Sequence, residues 1–374
     1  MMPAISGLGH RRRAYLAPAL AATLIAAMAG GCVSRPDSSA LNPVAAVADA
    51  RTVGVFVATS RGREEAGRNV FTSARAPAAN FARFVVSIPP NHTPSMVEWP
   101  MQRPADPSQS FAVTDQSALD RPNFLAQLDK AAATTRGEVV IFVHGYNMSF
   151  EEALFRFAQV QHDSGLAITP VLFAWPSKAD LMGYVADRES AAYSRDYLES
   201  VLSDVNRLPH VRKVILAAHS MGCWLAMEAL RQSRLNGGAG VSKLGDVVLA
   251  APDIDIDVFR SQLEAIGKLR EPITVLASPD DQALAFSRRI GGDVDRVGAV
   301  SVEDPRVRET ARRYGVRIID ISSSASDTPL NHNRYVTSVP VLAQIAASGG
   351  RGRGIVLDAG TYVLDSAART LLLK

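Results

Sequence analysis

Ser220 stands in "AAHSMG", with the small residue Ala218 two places before it and Gly222 two places after. A serine hydroxyl is a weak nucleophile. It becomes useful when a histidine takes its proton and a carboxylate orients that histidine. The chemistry to look for is therefore acyl transfer through a Ser–His–acid set. The small-x-Ser-x-Gly template also fits "AASGG" (346–350), so the flanking elements must decide between the two. Ser220 follows the apolar run "KVILAA" (213–218) and precedes "MGCWLAMEALRQ", a strong helix former. A sharp strand–turn–helix connection of that kind lifts a serine oxygen above the edge of a sheet. "AASGG" ends a helical pattern and runs into "RGRG", which reads as a helix C-cap and loop.

The base and the acid must follow such a serine in chain order, acid before histidine. Six of the seven histidines (His10, His92, His144, His162, His210 and His219) precede Ser220. His332, in "TPLNHNRYV", is the one that follows. The acid should come directly after a strand between them, and "ITVLASPDDQAL" offers Asp280 and Asp281, with Asp253 in "APDIDID" as the fallback. Aspartate also suits a helix N-cap, so one of the adjacent pair can cap while the other orients. The oxyanion needs backbone N–H donors. The amide of Met221, next after the serine, supplies one, and the amide of Tyr146, after "VVIFVHG", supplies the other. His144 reads as structural, and His219 as a neighbour whose ring points away from the chemistry.

These groups need a sheet to hold them. Strand patterns recur at 53–59, 81–88, 137–145, 169–176, 213–218, 246–252, 272–278 and 316–322. Between the later ones lie helical patterns, among them a capping box, Ser149 and Glu152, that opens a helix. A single helix is expected over 187–205. Alternation of this kind predicts an α/β fold with a mostly parallel sheet and helices on both faces, in one domain spanning 51–345. A C-terminal extension, 346–374, follows. Trp175 and Tyr184 are candidates to line an acyl pocket. Asp187, Arg188 and Glu189 read as a solvated helix start, and Cys223 as buried filler. Among the motifs, none has the spacing of a zinc, Walker or dinucleotide site, and neither metal nor cofactor is expected.

In this order, "FVHGYNMSFEEALFRFAQVQHDSG", "FAWPS", "GYVADRESAAYS", "AAHSMG", "SPDDQAL" and "LNHNRYV" resemble a bacterial alpha/beta-hydrolase family of uncharacterised esterase- and lipase-like proteins. The likeness covers roughly residues 53–340. It implies the alpha/beta-hydrolase fold, with Ser220 as nucleophile, His332 as base and Asp281, ahead of Asp280, as orienter. Ala218 departs from the usual first glycine of the elbow, and "LNHNRY" from the usual surroundings of the base.

Three arginines and no acid fall within residues 1–31, leaving 37 basic against 37 acidic residues in the rest. That balance gives no sign of a basic nucleic-acid-binding surface, which needs clustered excess charge, and no nucleic-acid partner is expected. Residues 11–32 combine Arg11, Arg12 and Arg13, a 13-residue apolar run (Leu16–Met28) and "AGGC". The run is short for a membrane span and right for a signal peptide. "AGGC" resembles a lipoprotein cleavage box, which makes Cys32 the lipidation site and residues 32–50 a flexible tether. "RRAYL" also resembles a twin-arginine signal. With Val33 and Ser34 behind the lipidated cysteine, outer-membrane anchoring facing the periplasm is expected. Cys223 is left without a partner, so no disulfide supports the fold. The expected function is ester hydrolysis at an envelope tether, on a small-molecule or lipid ester with a preference for short, soluble acyl groups. An inactive binding protein on the same fold and an acyltransferase are the alternatives.

Overall fold

Strands that are apolar on both faces must be covered on both, and the centre of this sheet contains such strands. The computed structural model describes residues 35–65, 67–326, 329–339 and 363–364. In chain order the strands are β1 (Arg51–Arg63), β2 (Phe71–Ile88), β3 (Ala112–Leu119), β4 (Glu138–Val143), β5 (Thr169–Ala174), β6 (Lys213–His219), β7 (Leu244–Ala250), β8 (Ile273–Ala277), β9 (Val316–Asp320) and β10 (Val363–Leu364). The helices are α1 (Arg121–Thr134), α2 (Phe150–Ser164), α3 (Tyr184–Tyr193), α4 (Arg195–Arg207), α5 (Met221–Leu235), α6 (Ile256–Ile266), α7 (Gln282–Ile290), α8 (Pro305–Tyr314) and α9 (Arg334–Thr337). The sheet order is β10-β9-β8-β7-β6-β4-β5-β1-β2-β3. From β9 through β1 every neighbouring pair is parallel, whereas β10, β2 and β3 pair antiparallel.

One face carries Val139, Ile141, Val143, Val214, Leu216 and Leu249, packed with residues of α1, α4, α5 and α6. The other carries Phe142, Leu172 and Ala174 under α2, whose Phe150, Leu154 and Phe157 are buried. Helices on both faces are what a parallel sheet requires. The expected capping box opens α2: Ser149 Oγ accepts from the Glu152 amide at 3.2 Å, and Glu152 Oε2 accepts from the Ser149 amide at 2.8 Å.

Several features differ from the sequence reading. β3 and α1 were not anticipated. "AVTDQSAL" mixes polar and apolar residues, as an edge strand can, and α1 announces itself only through its Asp120 N-cap and the proline in its first turn. The helix expected over 187–205 is two helices meeting at Ser194, whose hydroxyl donates to Ser190 O and contacts Ser60 Oγ, both at 2.7 Å. The tether expected through residue 50 packs from Pro36 onward. Asp37 caps a short 3-10 turn (Ser38–Leu41), Ala40 and Leu41 are buried, and the Val44 amide bonds to Val113 O. Two apolar side chains with a place in the core outweigh the freedom of a linker. Cys32, with the rest of residues 1–34, lies outside the described residues. So does the C-terminal extension except Val363–Leu364, which extends the sheet beside β9.

Candidate active site

β6 ends at His219 and α5 begins at Met221, leaving Ser220 alone to make the turn. Its φ of 54° and ψ of −124° lie where L-residues rarely sit. Surrounding hydrogen bonds hold it there: the Ser220 amide donates to Ala250 O at 2.9 Å, and Ser220 O accepts from the amides of Cys223 and Asp253. Gly222 is required by proximity, because a Cβ there would lie 2.7 Å from Val143 O and overlap His144 O. Ala218 is buried in β6 between Val143 and Leu249, so its methyl fills the core without crowding the turn.

The backbone after β4 passes directly against this elbow. A Cβ on Gly145 would sit 2.7 Å from His219 Nδ1 and 3.0 Å from Ser220 Cβ. Gly145, the residue before Tyr146, is thereby packed against the serine. The Met221 amide opens α5, where the first N–H groups have no intrahelical partner.

His332 lies on the loop after β9, with its Nδ1 2.7 Å from Asp281 Oδ2. Asp281 is 1% exposed, and its other oxygen accepts from the Leu284 amide at 3.0 Å, capping α7. One residue therefore does both jobs that the sequence reading divided between neighbours. Asp280 serves a different purpose. It accepts from Arg334 Nη1, from Ser278 Oγ at 2.7 Å and from Asn331 Nδ2 at 3.1 Å, and the Arg334 bond holds its carboxyl below the usual range. Asp253 is occupied elsewhere, accepting from Tyr184 OH at 2.9 Å and Ser287 Oγ at 2.8 Å and pairing with Arg296 at 3.3 Å.

His219 connects elbow and base. Its ring packs 4.6 Å from that of His332 and 4.5 Å from that of Tyr335, and its Nε2 lies 3.3 Å from His332 O. Burial keeps it neutral, far below the usual histidine pKa. His144 is a structural bolt. It stacks on Trp175 with centroids 5.0 Å apart, its carbonyl accepts from Trp175 Nε1, and burial lowers its pKa to about 3.

The pocket candidates lie elsewhere in the packing. Trp175 is fully buried beneath the loop, because its indole N–H and its ring both find partners inside. Tyr184 meets Tyr146 edge-on at 5.4 Å, but its hydroxyl is committed to Asp253. Burial, then that neighbouring charge, pushes the hydroxyl's pKa up. A groove of about 640 Å³ is lined by Val140, Phe157, Ile215 and Ile319 on the α2 face of the sheet, and neither Ser220 nor His332 borders it.

Sequence reasoning missed Asp187. It is fully buried, not solvated: its carboxylate accepts from Ser177 Oγ at 2.6 Å, the Lys178 amide at 2.7 Å and the Asn147 amide at 3.4 Å. Ser177 Oγ in turn accepts from the Met148 amide, so Asp187 ties the loop after β5 to the Tyr146 loop. Burial raises its pKa. Arg188 lies over the Trp224 ring and Glu189 is exposed, so the charged trio splits three ways. Cys223 is buried, its thiol weakly bonded to Ala250 O and its pKa driven up by burial.

The profile of the family described as "Alpha/beta hydrolase of unknown function (DUF900)" matches residues 121–348, a span that holds the elbow, Asp281 and His332. The chain belongs to that family. Over 119 residues it is 28% identical to the uncharacterized protein alr1448 of Nostoc sp. (strain PCC 7120), covering 25% of this chain and 31% of the relative. The chain thus spans about a third of the length of the curated relative it matches. An esterase of Pyrobaculum calidifontis is 13% identical with a TM-score of 0.37, covering 88% of this chain and 91% of that one. Esterase 2 of Thermogutta terrifontis, in its apo form, is 11% identical with a TM-score of 0.36, covering 72% and 90%. Likenesses that remote say nothing about residues or substrate. For this alpha/beta-hydrolase chain the site rests on its own geometry.

Proposed function

We propose that this chain is a serine hydrolase of carboxylic esters. Ser220 attacks the carbonyl carbon, His332 takes the hydroxyl proton and returns it to the leaving alcohol, and Asp281 fixes the imidazole tautomer. The Met221 and Tyr146 amides bind the tetrahedral oxyanion. Water, deprotonated by His332, then releases the acid. The observation that carries this reading is the 2.7 Å His332–Asp281 contact on a loop packed against the residue before a strained serine. A relic binding protein would have no need to hold a nucleophile at positive φ. The short-acyl preference belongs to the proposal as well: Trp175 is buried and Tyr184 is tied to Asp253, so neither opens a long channel. Export with a lipid on Cys32, and an outer-membrane position facing the periplasm, complete it.

The test is labelling by a fluorophosphonate probe together with turnover of p-nitrophenyl esters of increasing chain length. Ser220→Ala should lose both, with kcat down on the order of 10⁶-fold, while its melting temperature stays at or above that of the parent. Persistent labelling in Ser220→Ala would remove the serine from the mechanism. Rates rising with chain length would remove the short-acyl preference alone.

A further inference from the structure

At the far edge of the sheet from Ser220, histidines and carboxylates that the triad does not use converge. α2 starts beside the elbow loop and runs back, so its last turn, with His162 and Asp163, lies near the start of β1 and the end of β2. His92 comes from the proline-rich segment after β2, "IPPNHTP". One ligand atom from each of His92, His162 and Asp163 lies within 4.8 Å of the others. The His92 and Asp163 side chains are 6% and 5% exposed.

The surroundings are those of a ligand set. His92 Nδ1 faces Glu98 Oε2 at 2.8 Å, which leaves Nε2 directed at Asp163 Oδ1, 2.9 Å away. Glu98 is itself fixed, its other oxygen accepting from the Thr93 amide at 2.9 Å. The second oxygen of Asp163 accepts from the Ser95 amide and from Gln159 Nε2, both at 2.6 Å. A carboxylate on the far nitrogen of a histidine, and anchored carboxylate ligands, are what orient the donors of a metal site. Among the described residues, neither ring nitrogen of His162 is hydrogen-bonded. A cavity of about 440 Å³, lined by His92, His162, Asp163 and Arg51, adjoins the cluster and has room for water. Ligands bound at about 2.1 Å to one tetrahedral ion stand about 3.4 Å apart, so small side-chain rotations close the set.

We propose that His92, His162 and Asp163 bind a first-row divalent metal ion, Zn²⁺ fitting best, with Glu98 as the positioning residue for His92 and water as the fourth ligand. Two nitrogens and one carboxylate oxygen suit Zn²⁺ better than Ca²⁺ or Mg²⁺, which favour oxygen. Ligation uses lone pairs of the two imidazoles and the Asp163 carboxylate, any proton on a ligating atom leaves to solvent, and no redox step is involved. The ion would pin the 89–98 segment to the end of α2. Linear spacing hid the site, because His92 and Asp163 are 71 residues apart in the chain.

The chain, stripped with chelator and dialysed, is titrated near neutral pH with Zn²⁺ by calorimetry and with Co²⁺ by visible absorption. One Zn²⁺ per chain is expected, with tetrahedral Co²⁺ bands and a melting temperature that rises on adding Zn²⁺. Glu98→Gln should weaken binding by about 10–100-fold, and His162→Ala by at least as much. His162 is half-buried, so its variant should fold, and Glu98→Gln supplies an independent reading if it does not. Absence of saturable binding at one equivalent, or equal binding by the parent and both variants, overturns the site. The cluster is then a hydrogen-bonded set of His92 with two carboxylates.

Discussion

The proposed nucleophile and the proposed base of this site are positioned by different means. Ser220 is held by backbone: a one-residue turn between β6 and α5, main-chain hydrogen bonds to Ala250, Cys223 and Asp253, and the close approach of Gly222 to β4. His332 is held by side chains from separate elements: Asp281 at its Nδ1, with Arg334, Asp280, Ser278 and Asn331 bracing the loop around it. Backbone geometry survives most substitutions because every residue type carries the same main-chain groups. A side-chain network does not. The base should therefore be the mutable half of the site, and its carboxylates should rank by what each one touches.

The largest effect on that half is expected from Asp281→Asn. The amide cannot accept from Nδ1–H in the required tautomer and also satisfy the Leu284 amide, and comparable replacements elsewhere lower kcat by about 10⁴-fold. Asp280→Asn removes the charge facing Arg334 but leaves the base–orienter contact intact. A fall in kcat of about 10-fold is expected, with KM nearly unchanged, since the loop loosens without losing its catalytic contact. Arg334→Lys should behave similarly, because a lysine cannot keep both the Ser278 and the Asp280 bonds in the same geometry. Steady-state kinetics of the three variants decide the matter. Equal losses for Asp280→Asn and Asp281→Asn would erase the distinction between orienter and brace.

The same division explains what could be read from the chain. Ser220 was legible because its setting is local: strand, turn and helix are contiguous, and rival serines fail on their neighbours. His332 was legible because chain order removes the other six histidines. Choosing Asp281 over Asp280 needed more than local pattern, since adjacent residues differ only in where a side chain points. The family resemblance favoured Asp281, and the structure then gave one residue both the cap and the orienting contact. Asp187 was unreadable for the opposite reason. A charge run at a helix start is normally solvated, and only the fold folds Ser177, Lys178 and Asn147 around that carboxylate. β3 was missed because an edge strand lacks the two-faced apolar pattern that marks β4 and β5. Trp175 is buried because an aromatic after a strand packs inward as readily as it lines a cavity.

The buried histidines of the elbow allow a finer test. His144, with its pKa lowered to about 3, and His219, lowered well below the ordinary 6.5, are neutral in the folded protein because burial disfavours their charged forms. The unfolded chain takes up a proton on each near its ordinary pKa, so between about pH 6.5 and 3 it binds more protons than the native state. Stability is then lost as pH falls through that window, and each such histidine adds up to about 1.4 kcal/mol per pH unit. Asp187 and Glu151 oppose this. Burial raises their pKa, so the native state takes up protons on them first as pH falls. The comparison to make is therefore between variants. In urea unfolding at pH 7, 6 and 5, His219→Gln should lose about one proton from the slope, because the glutamine does not titrate. Its kcat at pH 7 should fall only modestly, since His219 supports the His332 loop from outside the reaction. An unchanged slope would mean that His219 is solvated or charged in the folded state, and the link between elbow and base would then lie in the Asp281 contact alone.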